Sequence, residues 1–262
     1  MTAEPSSILG RVSDVYRYPV KGLSPEPMDE VAVEAGQTLP CDRLYAIENG
    51  PGRFDPNAPK HLPKINFIML MRNEGLAALE TSFDSTDHAL TVKRDGRQVA
   101  RGQLSTAIGR NLIEQFFAAY LKDSLRGAPK VVSVEGHSFS DVAVPCVHII
   151  NLESVRALER IVGQEIDPLR FRANLHIDGV PPWSEFDWID KTIAVGDAGV
   201  TCKVLDRTVR CAATNVDPKS GRRDLAIPNE LMRAFGHSDF GIYATIETAG
   251  TLMPGQAVRF AD

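Results

Sequence analysis

Apolar and polar residues alternate loosely from Arg11 to Val20 and again from Glu30 to Glu34, the period of half-buried strands. Leu90, Val92 and Val99 flank Asp95-Gly96, a dipeptide suited to the positive φ angles of a two-residue hairpin turn. From Thr192 to Val204 and from Gly241 to Phe260, β-branched residues recur between glycines, the habit of a barrel or sandwich. Three stretches switch to helical spacing. After Ser105, residues Ile108, Leu112, Ile113, Phe116, Phe117, Tyr120 and Leu121 form one apolar stripe. A second helix is predicted from Asn151, with Val155, Leu158, Ile161 and Val162 inward and Gly163 just past its end. A third runs from Pro228 to Phe235, with Gly236 after it. The pattern predicts a mainly β chain with a few helices, an α+β fold.

The first helix and the segment from Lys122 to Gly136 mark the divide between two halves, expected at 8–125 and 126–262. With no disordered linker between them, the halves should pack together and can hold a ligand at their junction. A length of 262 residues suffices for one large or two small cores. The formal charge of -5 argues against a general nucleic-acid binder without excluding a local cationic pocket. The start, Met1 to Ser7, has neither a basic nor an apolar region of an export signal. No apolar run approaches the roughly 20 residues needed to span a bilayer, so the protein is expected to be soluble and cytoplasmic, with no nucleic-acid or membrane partner.

The four cysteines, Cys41, Cys146, Cys202 and Cys211, form no CxxC pair, and the six histidines show no ligand spacing, so neither zinc nor an iron–sulfur cluster is expected. Cys211 stands out by its neighbours. Arg207 and Arg210 precede it, and Arg222 and Arg223 follow across a turn at Asp217-Pro218-Lys219-Ser220-Gly221. Nearby guanidinium groups favour the thiolate, the form that binds a soft metal. By itself, a cysteine in a β-rich segment is more often a small core residue.

Three other segments could bind an anion. In Arg170 to Ile177, alternation puts Arg170, Arg172 and Asn174 on one strand face, offering cations and an amide to a phosphate or heterocycle, or else a solvated face. Lys21 sits where a strand ends at Gly22, within reach of a phosphate, although an exposed loop lysine is the ordinary reading. Asn151 to Ser154 opens a helix whose free N–H groups attract anions, or forms a plain cap. Trp183 to Trp188 could wall a pocket or pack on the barrel.

These segments occur in an order that resembles the MOSC superfamily, named for the C-terminal domain of molybdenum cofactor sulfurases. Tyr18-Pro19-Val20-Lys21 with Asp42-Arg43 is similar to the start of its N-terminal barrel domain. Arg170-Phe171-Arg172 with Asn174 and Asp178-Gly179 is similar to its middle motif. Arg210-Cys211 to Thr214, then Val216-Asp217-Pro218, Gly221 and Arg223-Asp224, is similar to its cysteine motif. Phe240 to Tyr243 and Gly250 to Val258 are similar to its closing strands. The likeness spans nearly the whole chain and is to two-part members such as mitochondrial amidoxime-reducing components and bacterial N-hydroxylated-base reductases.

The resemblance implies an N-terminal MOSC-type β-barrel domain packed on a C-terminal MOSC β-barrel. It implies that Cys211 is the catalytic residue and binds the metal of a molybdenum cofactor, Mo-molybdopterin. Lys21, Arg43, Arg172 and Asn174 would hold the pterin and its phosphate, with Asn151 and Ser154 lending a helix N-terminus and Arg210 and Thr214 flanking the cysteine. The implied reaction is two-electron reduction of the N–O bond of an N-hydroxylated small molecule. Val209 departs from the polar residue some such reductases carry two positions before the cysteine. Since the chain reaches Asp262 directly after the last family-like strand, a ferredoxin- or reductase-like electron donor is expected to be a separate protein. Two alternatives use the same site: a non-catalytic cofactor carrier or insertion protein, and a sulfur carrier through a Cys211 persulfide. The second lacks the pyridoxal-phosphate-dependent desulfurase domain that would load it.

Overall fold

The computed structural model describes residues 8–50, 52–197 and 199–261; the opening residues 1–7, read above for an export signal, lie outside them. In chain order the strands and helices of the first half are β1 (Ile8–Arg17), β2 (Glu26–Pro27), β3 (Val31–Val33), β4 (Ala46–Glu48), β5 (Glu80–Asp84), β6 (Ala89–Arg94), β7 (Arg97–Gln103) and α1 (Ala107–Tyr120). The second half contributes β8 (Lys130–Val132), β9 (Val147–Asn151), α2 (Leu152–Val162), β10 (Leu175–Asp178), β11 (Thr192–Val195), β12 (Val200–Val209), α3 (Ile227–Phe235), β13 (Asp239–Ile246), β14 (Gly250–Leu252) and β15 (Ala257–Phe260). The fold is mainly β with three α-helices, as the pattern predicts. Among the described residues no helix is long and apolar enough to cross a membrane.

Seven strands close into a barrel in the order β10-β9-β13-β12-β11-β15-β1, with β1 pairing back onto β10. All neighbours are antiparallel except β9 and β10. Closure leaves no long open edge, the hazard of any isolated sheet. Six of the strands come from the second half; the seventh, β1, comes from the first. Alternation fills the interior: along β12, Val200, Cys202 and Val204 point in while Thr201 and Lys203 point outward. Cys202 is therefore the small core residue that a cysteine in a strand usually is, and burial pushes its thiol up to about 12. The loose alternation of β1 has a physical cause. A bulge between Val12 and Asp14 inserts one residue against β10, so Val12 and Val15 both face the core.

Of the other first-half strands, β5-β6-β7 form an antiparallel meander, while β4 pairs with β8 and β3 with β14, both of the second half. Asp95 and Gly96 both take positive φ at the β6–β7 turn, as predicted. α1 packs Ile113 and Phe117 into the core beside this meander. Its apolar stripe is wider than its buried face, since Ile108 is 78% exposed and Leu112 also lies outside. In α2, Asn151 caps the start and left-handed Gly163 the end; Val155 and Leu158 are buried, but Ile161 is exposed. α3 ends at left-handed Gly236 as predicted.

The strand expected over Arg170 to Ile177 begins only at Leu175. Asp167 accepts from the Leu169 N–H at 3.0 Å and Pro168 follows it, so Pro168–Phe171 forms a 3₁₀ turn instead. Arg172 then takes a left-handed φ of 53°, and the alternation inferred for Arg170, Arg172 and Asn174 does not exist.

Gly241, in the barrel wall, combines positive φ with close approach: a Cβ there would lie 2.5 Å from the Ile149 carbonyl oxygen. Gly241→Ala should cost about 2–4 kcal/mol, read as a lower urea midpoint with unchanged slope. Gly96→Ala has the same backbone penalty with nothing within 4 Å, and should cost about 1 kcal/mol. Equal losses would remove the close approach from the explanation.

Candidate functional site

β12 runs out of the barrel through Thr208 and ends at Val209; Arg210 leads from it to Cys211, which caps a 3₁₀ turn, Ala212–Asn215. The Thr214 hydroxyl and N–H both return to the Cys211 carbonyl, at 3.0 and 3.1 Å, and fix the turn. Cys211 is half-buried and lines a cavity between the barrel end and the first half. Val209 beside it is 71% exposed.

The opposite wall is the continuation of β1. Tyr18 is fully buried, its hydroxyl donating to the Ala173 carbonyl and its acidity pushed to about 12 chiefly by burial. The guanidinium carbons of Arg43 and Arg172 each lie 4.4 Å from its ring centroid, within the range of cation–π attraction. Arg43 donates to Asp42 at 2.5 Å, to Asn174 Oδ1 at 3.2 Å and to the Arg172 carbonyl at 2.9 Å. Lys21, expected as a loop lysine, is buried; its ammonium donates to the Phe139 carbonyl at 2.8 Å and to Asp141 at 2.5 Å. Asp141 also faces Lys64 at 3.5 Å.

Six cations line this cavity, Lys21, Arg43, Lys64, Arg170, Arg172 and Arg210, against the carboxylates of Asp42 and Asp141. Arg170 is answered from outside by Asp224 at 2.9 Å and Asp217 at 3.3 Å. Arg43 has Asp42, and Lys21 and Lys64 share Asp141. Two charges then have no carboxylate. Arg210 donates to the Phe240 and Phe171 carbonyls at 2.9 and 3.0 Å and to His148 Nε2. Burial holds His148 well below its ordinary pKa, with Arg210 adding to the effect, so it stays neutral. The Arg172 guanidinium makes no hydrogen bond among the described residues. Burial presses both guanidinium groups down to about 10, with Asp141 offsetting it only in part. A third open group is the Thr208 hydroxyl, buried and without a partner.

An anionic, sulfur-rich metal carrier fits this set. Uncompensated cations suit a phosphate, a free hydroxyl suits a polar ring, and the half-buried thiol suits a soft metal. Among the described residues no three His, Cys, Asp or Glu side chains gather to hold a metal by themselves.

Not every residue expected at the site is free for a ligand. Asn174 lines the cavity, but its Oδ1 accepts from His148 N–H and Arg43, and its Nδ2 donates to the Tyr16 carbonyl. It anchors Arg43 to the backbone of the barrel. Asn151 and Ser154 do not line the cavity at all. Both are fully buried and hydrogen-bonded to the Glu185 carboxylate, which takes the place of an anion at the α2 N-terminus. Of the four arginines expected around Cys211, only Arg210 lines the cavity: Arg207 lies over the Phe186 ring, Arg222 is exposed, and Arg223 bonds the Ala212 and Met71 carbonyls. Trp183 packs on Phe235 and Phe240, away from the cavity.

Sequence patterns missed Lys64, Asp141, His148, Thr208 and Tyr243, all of which line the site. Lys64 and Asp141 lie in proline-bearing loops with no period to read.

The MOSC N-terminal beta barrel domain model matches residues 9–124 and the MOSC domain model residues 137–259. The chain belongs to the MOSC family. MOSC domains are associated with molybdenum cofactor binding or sulfuration. Molybdenum cofactor sulfurase of Caenorhabditis elegans is 30% identical over 120 residues, 43% of this chain and 16% of that protein. The sulfurase of Caenorhabditis briggsae is 30% identical over 119 residues, with the same coverage. The match thus spans only 16% of the length of these curated relatives. Among solved structures, YuaD from Bacillus subtilis aligns over 96% of this MOSC chain and 94% of its own, at 12% identity and a TM-score of 0.45. YiiM from Geobacillus stearothermophilus covers 44% and 54%, at 15% identity and a TM-score of 0.36.

The ion cluster at the cavity predicts a pH dependence. Although burial raises it, Asp141 is held well below the usual carboxylate range by Lys21 and Lys64. Its folded pKa lies below the unfolded one, so its contribution is present above about pH 4 and lost as the pH falls further. Asp141→Asn should abolish that part of the acid sensitivity. At pH 7 it should cost about 1–2 kcal/mol, less than a fully buried pair because the Asp141 side chain is 45% exposed. Denaturant titrations at several pH values read both effects.

Proposed function

We propose that this MOSC protein binds a molybdenum cofactor, with Cys211 as the protein's ligand to the metal, and reduces the N–O bond of N-hydroxylated small molecules. The observation that carries this reading is the pair of uncompensated guanidinium groups, Arg172 and Arg210, in the same cavity as the Cys211 sulfur. Arg172, whose guanidinium makes no hydrogen bond among the described residues, would take the phosphate of the pterin, and Thr208 a polar ring atom. Arg43 and Asn174 keep Arg172 in place through its backbone and its neighbours. Lys21 and Asp141 close the wall between the halves. The cofactor supplies the two-electron redox chemistry; the chain supplies binding, orientation and charge. In balance, the N–O bond takes two electrons and two protons and releases water. The electrons come from a separate ferredoxin- or reductase-like donor protein.

A second reading is sulfur handling, with Cys211 carrying a persulfide. The likeness to molybdenum cofactor sulfurases favours it, as does the exposure of the thiol at a cavity mouth. A non-catalytic carrier of the cofactor would use the same contacts as the reductase.

Metal and pterin analysis of protein from a host that makes the cofactor separates these readings. The wild type should hold about one molybdenum per chain, and Cys211→Ser should lose it; a wild type without molybdenum sinks the proposal. Reduction of N-hydroxylated substrates by an artificial electron donor supports the reductase, and bound molybdenum without turnover supports the carrier. Arg172→Ala should lower pterin retention about tenfold or more, the worth of one charged hydrogen bond. Unchanged pterin content would remove Arg172 from the phosphate site.

A further inference from the structure

Arg223 lies on the hairpin that follows Cys211, and its guanidinium touches both halves of the chain at once. The hairpin is short and fixed. Val216 and Arg223 face each other as an antiparallel bridge. Between them the Asp217 N–H donates to the Arg222 carbonyl at 2.8 Å, and the Gly221 N–H to the Asp217 carbonyl at 3.0 Å. The next residue, Asp224, pairs with buried Arg170 at 2.9 Å. From this base Arg223 Nη1 donates to the carbonyl of Ala212, the neighbour of Cys211, at 3.0 Å. Its Nη2 donates to the Met71 carbonyl at 2.7 Å and the Leu70 carbonyl at 3.3 Å, both in the first half, and to Glu74 Oε2 at 3.1 Å. The hairpin tip abuts the first half as well: a Cβ on Gly221 would lie 2.9 Å from the Glu74 carbonyl oxygen.

Leu70, Met71, Cys211 and Ala213 all line the cavity and are only half-buried, so they form its rim. Arg223 spans that rim from outside. Its ion pair with Glu74 is partly exposed on both sides, 33% and 46%, and pairs of that kind contribute little. The carbonyl bonds matter more to the geometry, because a planar guanidinium holds two sets of acceptors at a fixed separation.

We infer that Arg223 is a positioning residue for Cys211: one planar group holds the Ala212 carbonyl and the Leu70 and Met71 carbonyls, fixes the gap between the thiol and the first-half wall, and limits the size of what reaches the sulfur. The gap governs access whether Cys211 meets a metal carrier, a sulfur donor or an added reagent.

Size-selective alkylation tests this in the full chain purified without cofactor. Cys211 is treated at one pH with N-methylmaleimide or N-pyrenylmaleimide, both neutral, and resolved from the other three thiols by peptide mass spectrometry. The thiolate fraction cancels in the ratio of the bulky to the small reagent, which leaves access. Arg223→Ala should raise that ratio about tenfold, the factor that one lost charged hydrogen bond gives to local opening. Cys41, half-buried and outside this cavity, is the internal control, and its ratio should not move. Arg223→Lys keeps the charge near Glu74 and much of the bulk but has no fork, so its ratio should rise nearly as far. Glu74→Gln leaves the carbonyl bonds in place and should keep the wild-type ratio. An unchanged Cys211 ratio in Arg223→Ala, or an equal rise at Cys41, overturns the inference. So does a wild-type ratio in Arg223→Lys or a full rise in Glu74→Gln, either of which would assign the effect to charge instead of the bridge.

Discussion

Cationic side chains that repel one another share a single cavity, and the rest of the structure is arranged around holding them there. At 4 Å two like charges repel by about 1 kcal/mol in water and by several at the lower effective dielectric of a protein. The chain offsets this with few groups. Asp42 ties Arg43, Asp141 ties Lys21 and Lys64, and the Tyr18 ring lies against both Arg43 and Arg172. Asn174, with its amide fully engaged, joins Arg43 to the backbone of β1 and β9. Arg172 and Arg210 are left without a carboxylate partner among the described residues.

This arrangement depends on one topological choice. β1 belongs to the first half of the chain, yet it closes the barrel made by the second. Its bulge keeps Val12 and Val15 in the barrel interior, and the chain then leaves the wall directly into Tyr18 and Lys21. On the far side of the same rim, β12 delivers Thr208, Arg210 and Cys211. The site is therefore built where two strands leave one barrel, one from each half. Neither half holds it alone, and the β3–β14 pair and the Lys21–Asp141 contact stitch the two together.

The parts of this legible in the sequence were those governed by short periods and local turn chemistry. Alternation along β12, the Asp95-Gly96 turn and the glycine stops after α2 and α3 all follow from the backbone preferences of neighbouring residues. Periodicity failed where tertiary contacts decided the outcome. Ile108, Leu112 and Ile161 lie on apolar stripes but have nothing to pack against. Arg170 to Asn174 alternates in sequence, yet the Asp167-Pro168 cap turns it into a 3₁₀ turn and a left-handed arginine. Within the site, Cys211, Lys21, Arg43 and Arg172 could be picked out because they sit in recognisable motifs. Lys64 and Asp141 meet each other and reach the Cys211 cavity only through long-range packing of irregular segments, which leaves no pattern in the chain.

The two places that could attract an anion show how such a site is told from its imitations. The N-terminus of α2 has the free N–H groups and the polar residues of an anion site. The chain closes it itself: Glu185, fully buried, accepts from Asn151 and Ser154. Burial raises its pKa while those hydrogen bonds pull the other way, so the carboxyl is matched to its partners from within the fold. At the Cys211 cavity the polarity is just as strong, but among the described residues no carboxylate pairs with Arg172 or Arg210. Guanidinium groups held partly out of water without a carboxylate partner are costly, and a ligand that brought the missing charge would recover that cost. The cap and the cavity differ in that charge left without a carboxylate, not in the residue types that both places share.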